Sequence, residues 1–255
     1  MKFITDNAER WITATVLLAV TTIVGLIDND LLMWVYLGAF YFVGFHESIK
    51  LFDIQRKSPY LYATVIWITA YFYPNPDDLF FIMAIFFGAK LAYTQEHIKK
   101  KLLIPFLYPV SGFLFMFMLY RDFGINWMLW LLVIVAITDT GAFFVGKGIG
   151  KTQFSPTSPN KTLEGVIGGV LFATVAGTAM GGYFMELVPL VVAFIVSILT
   201  SIASVFGDLF ESYIKREAGV KDSGDIFPGH GGVLDRLDGY LFGAIIMLIA
   251  LRALL

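Results

Sequence analysis

Between Gly207 and Asp238 the chain reads GDLFESYIKREAGVKDSGDIFPGHGGVLDRLD, with seven acidic side chains, four basic ones and the histidine His230. Its neighbours on both sides are strongly apolar. Carboxylates and cations gathered in one such span are the groups that bind a divalent metal together with phosphates. A charge run is most often only a solvated loop between helices. This one places aspartates at the edges of apolar segments, where a charge costs about 2.5–3.5 kcal/mol at a helix centre and less near the interface. A metal with phosphates would offset that cost.

The local pattern is specific. Gly207 to Ala218 continues the preceding apolar run as a helix, and Gly219 suits the left-handed residue that ends one. At 3.6 residues per turn Asp208, Glu211, Ser212 and Lys215 share a face. Pro228-Gly229-His230-Gly231-Gly232 is an irregular loop whose bare backbone can approach a ligand closely. Asp235 and Asp238, three apart, fall on one face of the next helix's first turn.

A second stretch, Thr138 to Gly165, is also polar within apolar surroundings. Asp139 falls inside an apolar span, so it should face the interior or a wet cavity, with a structural hydrogen bond as the rival role. Gly146-Lys147-Gly148-Ile149-Gly150-Lys151-Thr152 is a near miss for a phosphate loop. Val145 stands where the first glycine belongs, and no strand precedes it. In Ser155-Pro156-Thr157-Ser158-Pro159-Asn160-Lys161-Thr162-Leu163-Glu164-Gly165 the prolines stiffen the loop, and Asn160 or Thr162 is placed to cap the following helix. A helix entry with free amides, hydroxyls and one lysine is an anion site or an ordinary capped start. Gly165 and Gly169, then Gly177 and Gly181, are four apart, which suits close helix packing.

Three of these runs together resemble the signature of phosphatidate cytidylyltransferases, also called CDP-diacylglycerol synthases: Ser212-Tyr213-Ile214-Lys215-Arg216, Lys221-Asp222-Ser223-Gly224, and Pro228 to Asp238. The Ser158 to Gly165 run resembles the family's second motif, Ser-Pro-x-Lys-Thr-x-Glu-Gly. The likeness is strong in the C-terminal half and weak before about Ala136. It implies transfer of a cytidylyl group from CTP to phosphatidic acid, giving CDP-diacylglycerol and pyrophosphate, with Mg2+. It further implies metal ligation by Asp208 and Asp235, with Asp238 a third candidate. Lys215, Arg216, Lys221, Asp222 and His230 become the catalytic candidates, with Arg236 as surface. Asp139, Ser158, Lys161, Thr162 and Glu164 become the substrate-binding ones. A lipid phosphate is already an anionic nucleophile, so the chemistry asks for charge neutralisation and in-line positioning rather than a general base.

Two other classes compete. A CDP-alcohol phosphotransferase would also place aspartates at a membrane surface, and Asp235-x-x-Asp238-Gly239 begins like its motif. Its Ala-Arg pair and later aspartate are absent. A cation-coupled transporter would use Asp139 and Asp208 near the bilayer midplane, but the charges here cluster in loops.

The elements that must position these residues are membrane helices. Of 255 residues 58% are hydrophobic and 15% charged, which excludes an ordinary soluble domain. The net charge of −2 is uninformative about partners, no basic face suggests nucleic acid, and with no cysteine there is neither a disulfide nor a thiolate metal site. Lys2 and Arg10 precede an apolar run that continues to Ile27 without a cleavage site, so it is a retained first helix. Apolar runs predict an all-α integral membrane protein of about nine spans: Trp11–Ile27, Leu31–Phe45, Tyr60–Tyr73, Leu79–Tyr93, Leu103–Leu119, Trp127–Val145, Leu163–Met185, Val188–Phe206 and Leu237–Leu254. The third and fourth are short enough to be tilted, broken or re-entrant.

Of the 18 basic residues only Arg121 and Arg252 fall on the side that carries Asp28, Asp30, Asp77, Asp78 and Glu186. That asymmetry predicts a cytoplasmic N-terminus, an outside C-terminus, and loops 146–162 and 207–236 in the cytoplasm of a multi-pass protein of the cell membrane. Residues 1–120 are then a transmembrane scaffold and 121–255 the catalytic region, with membrane lipid as a neighbour and room for a homodimer. Near span ends, Tyr71, Tyr73, Tyr93 and Trp127 are interfacial anchors. His97 is a lipid-facing surface residue, and His46-Glu47 has the types to bind a metal, though a lone pair at an interface is more often just solvated, which is the expectation.

Overall fold

The computed structural model describes residues 8–94, 103–184, 188–227 and 231–255. Nine α-helices occur among the described residues: α1 (Ala8–Ile27), α2 (Asp30–Leu51), α3 (Ser58–Phe72), α4 (Asp78–Thr94), α5 (Ser111–Phe123), α6 (Ile125–Ile149), α7 (Leu163–Phe184), α8 (Leu190–Glu217) and α9 (Leu234–Leu254). They follow the apolar stretches of the sequence. Ile125–Ile149, Leu163–Tyr183, Leu190–Glu217 and Leu234–Leu254 are long and apolar enough to cross a membrane. Large apolar side chains such as Leu171, Val175 and Val191 stay 60–71% exposed. In water each would forgo about 1.5–3 kcal/mol of burial, so a lipid surround is the medium that suits them. This is the pattern of a multi-pass membrane protein.

Two departures from the predicted helices have local causes. The expected span Leu103–Leu119 is broken at a π-helical turn, Phe106–Val110, where Tyr108 takes φ −152° and ψ 118° ahead of Pro109. Proline supplies no amide and pushes its predecessor out of helical dihedrals, so a regular helix begins only at Ser111. The second departure is an antiparallel hairpin, β1 (Gln153–Ser155) with β2 (Ser158–Thr162), which pairs Gln153 with Thr162 and Ser155 with Ser158. The chain is therefore helical with one small hairpin. The short α3, with 15 residues, rises only about 22 Å, below the roughly 30 Å of a bilayer's hydrocarbon core.

The chain divides into two compact units. The first comprises residues 1–121 and 220–236, the second 122–219 and 237–255. The core of the first is aromatic. Tyr41, Phe45, Trp67, Phe113 and Phe117 are fully buried, and Trp67 stacks on Tyr41 with ring centres 4.6 Å apart. Their polar tips find backbone acceptors, Tyr41 Oη on the Ala63 carbonyl at 2.9 Å and Trp34 Nε1 on that of Trp67 at 2.9 Å. Such pairing is required where no water competes.

The second unit packs α6, α7, α8 and the greater part of α9 through small residues. A Cβ on Gly169 would stand 2.4 Å from the Thr138 carbonyl oxygen, and one on Gly207 would stand 2.4 Å from that of Asp238. Gly177 and Gly181 lie equally tight against Ser197 and Trp130. Packing is thus the role of these glycines, as their spacing suggested. Trp130 Nε1 donates to the Gly177 carbonyl at 2.8 Å, and Thr138 and Ser201 share a buried hydroxyl pair at 2.7 Å.

Candidate active site

The second unit carries a cavity of about 480 Å³ lined by Asp139, Lys147, Ser158, Asn160, Lys161 and Asp208. Each wall has a local reason. The helix α6 continues to Ile149, so Gly146 to Ile149 is helical and not a phosphate loop. The hairpin then returns the chain to α7, where Thr162 is the cap: its Oγ1 accepts from the Gly165 amide at 3.1 Å. Glu164 accepts from the amides of Lys151 and Thr152 at 3.1 Å and from the Thr152 hydroxyl at 2.7 Å. Its carboxylate thus fastens the entry of the hairpin to its exit. Lys161, Ser158 and Asn160 are thereby presented to the cavity on β2.

The opposite wall is α8. Asp208 pairs with Lys161 through Oδ2 and accepts the Ser212 hydroxyl on Oδ1 at 3.4 Å. One turn on, Lys215 pairs with Glu211, whose side chain is 1% exposed. The shared face predicted for these four residues is the one observed. Gly219, at φ +71°, ends the helix in the left-handed conformation expected of it.

Asp238, on α9, caps its own following amide at 2.8 Å. Asp139 and Asp208 line the cavity together with Lys147 and Lys161. Among the described residues no group of three or more His, Cys, Asp or Glu side chains is placed to hold a metal ion. The arrangement is open. Magnesium takes one or two protein carboxylates and fills its octahedron with water and substrate phosphates, and Asp139 and Asp208 beside two lysines are an open donor set of that kind.

Asp235 stands apart in kind. It belongs to the first unit, where its Oδ2 accepts from the Ser223 amide at 2.8 Å and the Gly232 amide at 2.8 Å, and lies 3.0 Å from the Ser223 hydroxyl, whose one proton it shares with Glu47. Gly231 has φ +82°, and a Cβ there would stand 2.6 Å from the same oxygen. Lys221 and Asp222 are exposed on this loop, and Arg216 is exposed at the end of α8. His230, with Pro228 and Gly229, lies outside the described residues, as do His97 and Glu186.

One residue departs from its sequence expectation. Glu47 is 4% exposed, not solvated. Its Oε1 accepts from the Val233 amide at 2.9 Å, and its Oε2 from the Leu234 amide at 2.9 Å and the Ser223 hydroxyl at 3.0 Å. The signal was available: Leu37, Tyr41, Gly44, Glu47 and Ser48 recur at helical spacing on the buried face of α2. Its neighbour His46 remains exposed, with Nδ1 2.7 Å from the Tyr60 hydroxyl.

Known proteins carry the same pattern over nearly the whole chain. A family model described as the cytidylyltransferase family matches residues 8–254. The phosphatidate cytidylyltransferase of Helicobacter pylori strain ATCC 700392 / 26695 is 47% identical over 244 residues, covering 93% of this chain and 89% of that protein. That of strain J99 is 46% identical over the same length. The enzyme of Bacillus subtilis strain 168 is 42% identical over 122 residues, 48% of this chain and 45% of that protein.

Proposed function

This chain belongs to the cytidylyltransferase family, and we infer that the cavity between Asp139, Lys161 and Asp208 is where it handles its nucleotide. The protein is a phosphatidate cytidylyltransferase: it joins CTP and phosphatidic acid to give CDP-diacylglycerol and pyrophosphate. One observation carries the assignment of the site. Lys161, from one signature motif, and Asp208, from the edge of the other, pair at the wall of a single cavity.

The reaction forms a bond from a phosphatidate oxygen to the α-phosphorus of CTP and breaks the bond from that phosphorus to the β-phosphate bridge. The attacking oxygen is anionic, so no proton need be removed. Binding is the difficulty, because two anions must meet. Lys161 and the hydroxyl of Ser158 line the cavity as donors for the triphosphate. Glu164 and Thr162 hold the hairpin that carries them. Asp208 and Asp238 would hold magnesium, with Asp139 adding to the negative field that attracts it. When bound, the metal would neutralise phosphate charge. Lys215, Arg216 and Lys221 are the cations proposed for the lipid phosphate.

Contacts within each unit agree with the sides that the charge pattern assigns. The pairs His46–Tyr60 and Lys90–Tyr62, with the contact of Glu47 to 220–236, gather segments the charge pattern places in the cytoplasm. Tyr120–Asp28, Arg121–Asp30 and Arg252–Asp122 gather segments it places outside. Nine crossings with an inside N-terminus accommodate all of them.

The test is incorporation of radiolabel from α-labelled CTP into lipid by the purified protein, given phosphatidate and magnesium. Asp208→Asn and Lys161→Ala should lose most of it. Undiminished incorporation by both would place the reaction elsewhere.

A further inference from the structure

A buried carboxylate with only neutral partners must be stabilised by the donors around it, and those donors are then fixed by it. Among the described residues Glu47 meets this description, at the end of α2. Its three donors all come from the far signature loop, 176 to 187 positions away: the Ser223 hydroxyl and the amides of Val233 and Leu234. Leu234 opens α9, so a side chain from another helix satisfies amides that the start of a helix leaves open, at the end where a negative charge is favoured.

The glycines of the signature make room for this carboxylate. A Cβ on Gly224 or on Gly232 would stand 2.5 Å from Glu47 Oε1. Ser223 is the joint. Its hydroxyl lies 3.0 Å from Glu47 Oε2 and 3.0 Å from Asp235 Oδ2, and its amide donates to Asp235. Glu47, Ser223 and Asp235 are therefore one hydrogen-bonded chain that sets the start of α9 and the backbone of the loop.

We propose that Glu47 is a positioning residue for cytidylyl transfer, holding the 220–236 loop in its working form. This rests on the reading that the loop serves the reaction. Glutamine is no substitute. Donors point at both oxygens of Glu47, so the amide group of a glutamine would face a backbone N–H in either orientation. Aspartate keeps the charge and falls one methylene short.

The experiment compares the full-length wild type with Glu47→Gln, Glu47→Asp and Asp235→Asn in detergent. It measures kcat and KM per folded molecule, and the rate of tryptic cleavage at Lys221. Expected is a fall in kcat of about 100-fold for Glu47→Gln and about tenfold for Glu47→Asp, with loop cleavage rising in the same order. A purely stabilising role would reduce the yield of folded protein and leave turnover per folded molecule unchanged. If Glu47→Gln does not accumulate folded, Glu47→Asp is judged by the same two readouts. Folded variants with kcat within twofold of wild type, or with unaltered cleavage at Lys221, would overturn the proposal provided Asp235→Asn is inactive. Should Asp235→Asn also keep its turnover, the loop has no part in the reaction, and the underlying reading fails instead.

Discussion

The ammonium of Lys161 pairs with the carboxylate of Asp208 across 47 positions of sequence. One comes from the hairpin before α7 and the other from the last third of α8. Their pairing makes one wall of the cavity that also receives Ser158, Asn160 and Asp139. A bound triphosphate would compete with Asp208 for the lysine, and a metal would compete with the lysine for Asp208. The two ligands should therefore help one another to bind.

Replacing Lys161 tests the nucleotide side of that argument. A charge-assisted hydrogen bond contributes about 1.5–3 kcal/mol, or roughly 10- to 150-fold in affinity. Lys161→Ala should raise KM for CTP within that range and leave the phosphatidate dependence unchanged. Steady-state kinetics with each substrate varied in turn decides it. A change confined to phosphatidate would mean that the roles of the two loops are reversed.

Lys215 has both a partner and a proposed role, and the two can be separated. Removing one member of a buried ion pair costs about 3–5 kcal/mol, whereas replacing both by neutral groups costs much less. Lys215→Ala should lower the melting temperature by several degrees, and the double variant Lys215→Met with Glu211→Gln should recover most of it. If the lysine acts on charge developing between the phosphates, turnover should stay low in both, with kcat and kcat/KM falling together. Turnover that recovers along with stability would leave Lys215 only a structural counter-ion.

The carboxylates divide into two kinds, and magnesium should tell them apart. Metal that binds only the folded protein at 100 times its Kd stabilises it by about 2.7 kcal/mol. Asp208→Asn and Asp238→Asn should each remove most activity and most of the magnesium-dependent rise in melting temperature. The double variant should be hardly worse, since the two act as a unit. Asp235→Asn should lose activity yet keep the rise, because its carboxylate is bonded to Ser223 and Gly232 of its own loop. A thermal rise abolished by Asp235→Asn alone would put the metal with Asp235, as the sequence first suggested.

Orientation has its own test. Alkaline phosphatase joined after Leu255 should be active in cells, and the same enzyme joined after Lys161 should be inactive. The converse result, or activity at neither junction, rules out nine crossings with an inside N-terminus.

Much of this protein was settled along the chain. A composition of 58% hydrophobic residues determined a membrane protein, because apolar runs of spanning length have no other stable surround. The two motifs determined the family. Local spacing determined the face of α8 that carries Asp208, Ser212, Glu211 and Lys215 and the helix stop at Gly219, since each depends on residues within one turn of one another. It left the cap of α7 open between Asn160 and Thr162, and the structure gives Thr162.

Tertiary structure decided which carboxylates meet. Periodicity gives a helix its faces but not the partner each face will find. That choice is made by packing between distant segments, here through glycines whose missing Cβ atoms let α6 and α7, and α8 and α9, approach closely. It paired Asp208 with Lys161 at a cavity shared with Asp139, and bound Asp235 to Ser223. It also turned Glu47, expected at a wet interface, into the buried anchor of a loop 176 positions away. A charge near a helix end looks the same in sequence whether water or three protein donors surround it, and only the fold supplies those donors.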